Sequence, residues 1–284
     1  GRQAMAAIAA RPRATAPDML DVVIVGAGPA GISASLGAKA HNLRYATLEQ
    51  ETFGGTVAHF PRGKLVMTAP AELPLAGRVF FKEIGKEALI DFWRDLANEH
   101  QLAIAEHARL DMIRPVPGGY AVATTRGALK TRHVLLAIGR RGTPRRLDVP
   151  GEELTKVVYR LTDPEQYRGS HVLVVGGGDS ALEAALNLAG QSGTTVTLSY
   201  RGESFQRAKA RNRTAIAAAE RERRLHVVLG SEVKQIWQDG VTLDQRGRRF
   251  AIRNDAVIVC AGGLLPTGFL NRIGIAIETK HGTA

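Results

Sequence analysis

Two stretches of this 284-residue chain follow one script: an apolar run, a glycine turn and the start of a helix. The first is Val22-Val23-Ile24-Val25 leading into Gly26-Ala27-Gly28-Pro29-Ala30-Gly31. The second is Val172-Leu173-Val174-Val175 leading into Gly176-Gly177-Gly178-Asp179-Ser180-Ala181. A buried parallel strand that turns tightly into a helix brings backbone N–H groups and the positive end of the helix dipole to a pyrophosphate. Few folds supply that arrangement twice. The fold class expected is therefore α/β, with two Rossmann-like three-layer domains. Gly26, Gly28 and Gly31 are the candidates for one pyrophosphate, and Gly176, Gly178, Ser180 and Ala181 for another.

The ends of the next strands separate the copies. Tyr45-Ala46-Thr47-Leu48 runs into Glu49, whose carboxylate can accept hydrogen bonds from both hydroxyls of a ribose. At the equivalent spacing the second copy has Ser199, then Tyr200 and Arg201. An acid is missing and a cation is near, which suits a ribose carrying a 2′-phosphate. Arg201 and Arg207 are the candidates for that phosphate, with Lys209 a third. The pair reads as one site for FAD and one for NADPH. Near the first, Phe53-Gly54-Gly55-Thr56 places Gly55 and Thr56 where backbone can approach a planar ligand.

Hydrophobic residues make up 44% and charged residues 23%, ordinary for a globular chain. No apolar stretch approaches the roughly 20 residues needed to cross a bilayer, and a cytoplasmic location is expected. The single cysteine, Cys260, excludes an intramolecular disulfide and a Cys-rich metal site; it reads as a small core residue. Trp93 and Trp237 read as core or helix-face residues.

The net charge is +11. Arginines and lysines gather in residues 201–224 and again at Arg140, Arg141, Arg145 and Arg146. That pattern suits docking of an acidic redox protein better than nucleic acid, since no nucleic-acid module is recognisable and aromatic interleaving is sparse. The chain opens on Gly1 and reaches its first methionine at Met5, so residues 1–17 are expected to be a linker or the remnant of an upstream segment. Helices are expected at 30–40, 86–99, 180–189 and 215–222. The stretch 59–74 reads as a long structured loop, and the strands 103–105, 112–115 and 120–124 as a small antiparallel insert before the parallel strand from Val134.

These segments resemble the two-dinucleotide-binding flavoproteins of the low-molecular-weight thioredoxin reductase type. The matching stretches are VVIVGAGPAGISAS, FGGT, LLAIGRRGTPRRLDVPGEE, HVLVVGGGDSALEAA, YRGESFQR and VCAGGLLPTGFL. HFPRGKLVMT, AELPL and VVYRLTDPEQYRG point within that group to the bacillithiol-disulfide reductase-like branch. The resemblance implies an FAD domain of residues 18–146 plus 263–284, with an NADPH domain of 147–262 inserted into it. It implies hydride transfer from NADPH to flavin, then electron transfer to a ferredoxin-like carrier, a small disulfide or a quinone. Many such proteins are homodimers.

Two departures follow. The cysteine pair of thioredoxin reductases falls at Tyr159 and Thr162, and an alternative cysteine in the first glycine motif falls at Ala30, so no dithiol relay is expected. Asp163, matching the family's aspartate, reads first as a helix cap and second as a proton-transfer candidate. Lys64 and Thr68 could approach the isoalloxazine, which leaves Asp163 and Lys64 as the catalytic candidates. The family also continues past the PTGFL stretch to a flavin-contacting segment, whereas this sequence stops at Ala284. A nucleotide-binding regulatory or assembly subunit without turnover is the rival expectation.

Overall fold

The apolar run Val22–Val25 is almost wholly buried, as befits a central parallel strand covered on both faces. A computed structural model of the chain describes residues 1–66, 68–139 and 144–277. The chain divides into two compact units, one drawn from Gly1–Gly142 and Leu265–Ala284, the other from Thr143–Leu264.

In the first unit the order is α1 (Arg2–Ala9), β1 (Met19–Val25), α2 (Pro29–Ala40), β2 (Tyr45–Leu48), and the short strands β3 (Leu65–Val66), β4 (Ala71–Leu73), β5 (Gly77–Val79) and β6 (Ile84–Gly85). There follow α3 (Lys86–Glu99), β7 (Ile104–Ala105), β8 (Leu110–Val116), β9 (Gly119–Thr124) and β10 (Gly127–Leu136). One sheet runs β7-β2-β1-β10-β9-β8. Its first four strands are parallel, and β10-β9-β8 is antiparallel. The antiparallel strands therefore extend the main sheet instead of forming a separate insert. β10 does both jobs: Gly127–Thr131 pairs with β9, and Lys130–Leu136 pairs with β1. The buried Ser35 hydroxyl donates to the Gly31 carbonyl and meets the Thr47 hydroxyl at 2.7 Å, pinning α2 to β2.

Residues 1–17 do not behave as a linker. Alanine favours helix, and Arg2–Ala9 forms one that lays the fully buried Met5 among Ala34, Ala38, Val22 and Ile24. The segment after it is tied down as well. Arg44 donates to the carbonyls of Ala14, Ala16 and Pro17, and the Asp21 carboxylate accepts the N–H groups of Ala14 and Arg44.

The second unit contains β11 (Val157–Val158), β12 (His171–Val175), α4 (Asp179–Ala189), β13 (Thr195–Tyr200), α5 (Ala210–Arg221), β14 (His226–Leu229), β15 (Ser231–Trp237), β16 (Gly240–Gln245), β17 (Arg248–Arg253) and β18 (Ala256–Val259). A parallel sheet, β11-β18-β12-β13-β14, lies between two layers. On one face Val174, Leu198 and Ile258 pack with Leu182, Leu188 and Ile216 of the helices. On the other, Leu173, Val257 and Val259 meet Val233, Ile236, Val241 and Leu243 of the antiparallel sheet β15-β16-β17. Each such fully buried aliphatic side chain stabilises the unit by about 1.5–3 kcal/mol.

The basic stretch from Pro144 onward belongs to this unit. Pro144 pairs with Gly263, and the Arg145 N–H donates to the Gly262 carbonyl. Glu152, 4% exposed, accepts the N–H groups of Leu147 and Asp148 and the Tyr159 hydroxyl. Desolvation would raise its carboxyl pKa, but the Tyr159, Leu147 and Asp148 bonds, with Arg146, outweigh that and hold it below the usual range.

Candidate functional site

The first glycine turn begins at Gly26, whose φ of 106° favours glycine. A Cβ on Gly31 would lie 1.7 Å from the Gly26 carbonyl oxygen, so only glycine there lets α2 start this close to β1. Gly28 is different: the nearest atom to a Cβ there is the Gly55 Cα, at 3.9 Å. The turn is therefore open where Gly55 faces it. The 53–57 loop is seated by the Gly54 N–H, which donates to the Ala27 carbonyl at 3.0 Å. Thr56 is exposed on the same loop. Glu49, one residue past β2, is 6% exposed. Its carboxylate accepts the N–H of Ala27 at 2.9 Å and that of Glu51 at 3.0 Å. A carboxylate has lone pairs to spare after two such bonds, so Glu49 can serve both the turn and a ribose.

The second turn repeats the plan with other side chains. Gly176 has φ 145°, and a Cβ on Gly178 would meet nothing within 4 Å. The third glycine is replaced by the buried Ala181, and Ser180 is exposed in the first turn of α4. First-turn N–H groups of a helix have no intrahelical partner, so both open turns can receive a phosphate.

Strand register corrects one sequence expectation. Val25 pairs with Leu48, whereas Val175 pairs with Ser199. The Gly26 N–H donates to the Leu48 carbonyl, and the Gly176 N–H to that of Ser199. The counterpart of Glu49 is therefore Tyr200, not Ser199, because the path from turn to strand end is one residue longer in the second copy. Ser199 is fully buried and its hydroxyl meets that of Ser231 at 2.8 Å. The Tyr200 ring stacks on Phe205, with centroids 5.5 Å apart and planes inclined by 19°. It also covers Gly177, where a Cβ would fall 2.4 Å from ring carbons. Arg201, Arg207 and Lys209 follow in an exposed loop. The Lys209 N–H donates to Asp179 and holds that carboxyl below its usual range, against the opposing effect of burial.

The remaining candidates are spread over both units. Asp163 caps the short 3₁₀ helix Pro164–Tyr167 by accepting the Glu165 N–H at 3.0 Å, as the capping reading requires. Lys64 places its ammonium 5.1 Å from the Phe60 ring centroid. The Thr68 hydroxyl donates to the Phe81 carbonyl and accepts the Phe81 N–H. Cys260 packs partly buried against the second unit's core, and its N–H extends the sheet to the Val175 carbonyl. Trp93 is a core residue, while Trp237 lies half-buried on a strand, not a helix. Arg140 and Arg141 lie outside the described residues. Sequence reasoning missed Tyr200 and Asp179, and no signal in the spacing could have found the first.

Residues 23–283 match the pyridine nucleotide-disulphide oxidoreductase family. The chain belongs to that family. Among its relatives are a ferredoxin–NADP reductase of Thermus thermophilus, 30% identical over 93% of this chain and 79% of the relative, and the bacilliredoxin reductase Bdr of Bacillus subtilis, 24% identical over 92% and 82%. Among solved structures, the bacillithiol disulfide reductase Bdr of Staphylococcus aureus shares the fold with a TM-score of 0.79, at 23% identity over 92% of this chain and 81% of that one. Thioredoxin reductase of T. acidophilum gives 0.73, at 25% identity over 92% and 83%. Members of this family such as ferredoxin–NADP reductase and thioredoxin reductase are FAD-containing, NADPH-dependent enzymes, and this chain is an NAD(P)H-dependent flavoprotein oxidoreductase of that family. The residues present fit those groups: two open glycine turns, a buried carboxylate at the first and exposed arginines beside the second. Among the described residues no helix is long and apolar enough to cross a membrane, and no cluster of metal-ligating side chains is found.

Proposed function

We propose that the first unit binds FAD, that the second binds NADPH, and that electrons leave the flavin for an acidic protein carrier of the ferredoxin class in the cytoplasm. One observation carries the division of labour. The two turns are alike in backbone, but one ends beside a carboxylate and the other beside a tyrosine followed by arginine. Gly26, Gly28 and Gly31 would admit the FAD pyrophosphate, and Glu49 would hold the adenosine ribose while keeping the Ala27 N–H. Gly55 and Thr56 would border the same cofactor. Gly176, Gly178, Ser180 and Ala181 would take the NADPH pyrophosphate, and Arg201 and Arg207 its 2′-phosphate, by charge-assisted hydrogen bonds.

Bound FAD supplies the conversion between hydride and single-electron chemistry that no side chain here can perform. The chain's own part is to hold, orient and exclude water. With Tyr159 and Thr162 in the dithiol positions and one cysteine in the chain, electrons have no protein disulfide to pass through. A carrier that meets the flavin directly answers that lack, and the likeness to the Thermus thermophilus ferredoxin–NADP reductase supports it. The exposed basic run from Arg201 to Arg224 gives such a partner a complementary face. The likeness to bacilliredoxin reductase makes a small disulfide the competing acceptor.

Stopped-flow reduction of the flavin-loaded protein tests this reading. NADPH should bleach the flavin faster than NADH, and a reduced, acidic ferredoxin should accumulate with turnover that falls as salt rises. Rapid turnover of a disulfide with none of ferredoxin would replace the acceptor. Failure to take up FAD would defeat the whole assignment.

A further inference from the structure

Asp179 opens α4 directly after the open Gly178, at the place where the first turn has Pro29. Its Oδ1 accepts the backbone N–H of Lys209 at 2.8 Å and the side-chain amide of Asn212 at 2.7 Å. Asn212 is 6% exposed, and its amide also donates to Glu183 Oε1 at 3.2 Å, one turn further along α4. These three side chains stitch the first two turns of α4 to the start of α5. The loop 201–209, which carries Arg201 and Arg207, is thereby fixed at both ends. One end is the last residue of β13, and the other is this brace on the glycine turn itself. The Arg213 guanidinium adds a bond to the Ala208 carbonyl at 2.7 Å on the α5 side of the loop.

A carboxylate at the mouth of a helix that is to receive phosphate costs binding energy through repulsion. Its presence calls for a compensating role, and the brace supplies one. We propose that Asp179 is a positioning residue for coenzyme selectivity: through Lys209 and Asn212 it sets the arginine loop at the distance from the pyrophosphate turn that one 2′-phosphorylated dinucleotide spans. This rests on the reading of the second turn as the NADPH site. Positioning and repulsion predict opposite signs. If charge alone mattered, removing it would tighten phosphate binding; if the brace matters, removing it weakens binding of the 2′-phosphate and leaves the rest of the nucleotide alone.

The test is calorimetric titration of the full chain with adenosine 2′,5′-bisphosphate and with 5′-AMP, alongside thermal melts. Wild type should prefer the bisphosphate. Asp179→Ala should lose about tenfold on the bisphosphate and little on 5′-AMP. Asn212→Ala should move the same way by less. Asp179→Asn should keep most of the affinity, because its amide oxygen can accept the same two bonds. In turnover the loss should fall on KM for NADPH rather than on kcat. Bisphosphate binding unchanged or tighter in Asp179→Ala overturns the proposal. Should that variant not fold, unchanged binding in Asn212→Ala overturns it instead. A wild type indifferent to the 2′-phosphate overturns the NADPH assignment beneath it, a result distinguishable from the other two because it needs no variant.

Discussion

The two glycine turns sit at the ends of equivalent strands, yet they are finished in opposite ways. In the first, Glu49 reaches back to the N–H of Ala27. In the second, Tyr200 occupies that position and lays its ring over Gly177, the counterpart of Ala27. This explains a detail of the motifs. Position two can be alanine where a carboxylate meets the backbone, but not where an aromatic ring lies on top. At position three the demand reverses: Gly31 has no room for a methyl group, whereas Ala181 is already accommodated. A shared motif therefore conceals different steric rules in each copy, set by what arrives from the neighbouring strand.

That contrast can be broken experimentally, beginning with its most severe consequence. Gly31→Ala forces a methyl group into the Gly26 carbonyl and should destabilise the first unit by about 3 kcal/mol or more. Urea titration followed by flavin fluorescence would show it; a variant with full FAD content and an unshifted midpoint would refute the packing account. Replacing Arg201 and Arg207 together by alanine should cut the preference for NADPH over NADH by roughly tenfold or more, at about 1.5–3 kcal/mol per charge-assisted bond. Equal kcat/KM ratios before and after would remove the 2′-phosphate assignment. Gly177→Ala should cost about 1–2 kcal/mol through collision with Tyr200, and adding Tyr200→Ala should recover part of that loss. Additive losses in the double-mutant cycle would mean that the ring is not the obstacle. Ala181→Gly should cost only about 0.5–1 kcal/mol, the ordinary penalty for glycine in a helix.

The smallest effect concerns pH. The bond from the Lys209 N–H holds the Asp179 carboxyl below the ordinary aspartate range, so its stabilisation is complete above that range and disappears as pH falls through the depressed folded value. Melting temperature should therefore decline more steeply in acid for wild type than for Asp179→Ala. Parallel declines would show that the brace contributes nothing to stability.

Much of the architecture was legible because it is written locally. Continuous apolar runs before glycine turns mark parallel strands, and β1, β12, α2 and α4 lie where those runs place them. The tyrosine was hidden by arithmetic: counting residues from the turn assumes equal path lengths, and one additional residue before β13 moves the counterpart of Glu49 from Ser199 to Tyr200. The β16–β17 hairpin was missed for another reason. Its turn is Arg246-Gly247, with both φ angles positive, and arginine is a poor advertisement for a left-handed position that usually favours Asn, Asp or Gly. The brace at Asp179 depends on a contact 33 residues away, at Asn212, which no local pattern records. Thr68 is a second case: its hydroxyl bonds to Phe81, 13 residues away.

The small helix at the head of the chain has a practical consequence. Met5 roofs an aliphatic hollow formed by Ala34, Ala38, Val22 and Ile24, so clipping the polypeptide at Asp18, just before the first strand, would leave that hollow open to solvent. Such a shortened protein should be sticky and prone to precipitate on storage, although every glycine of both turns would still be present.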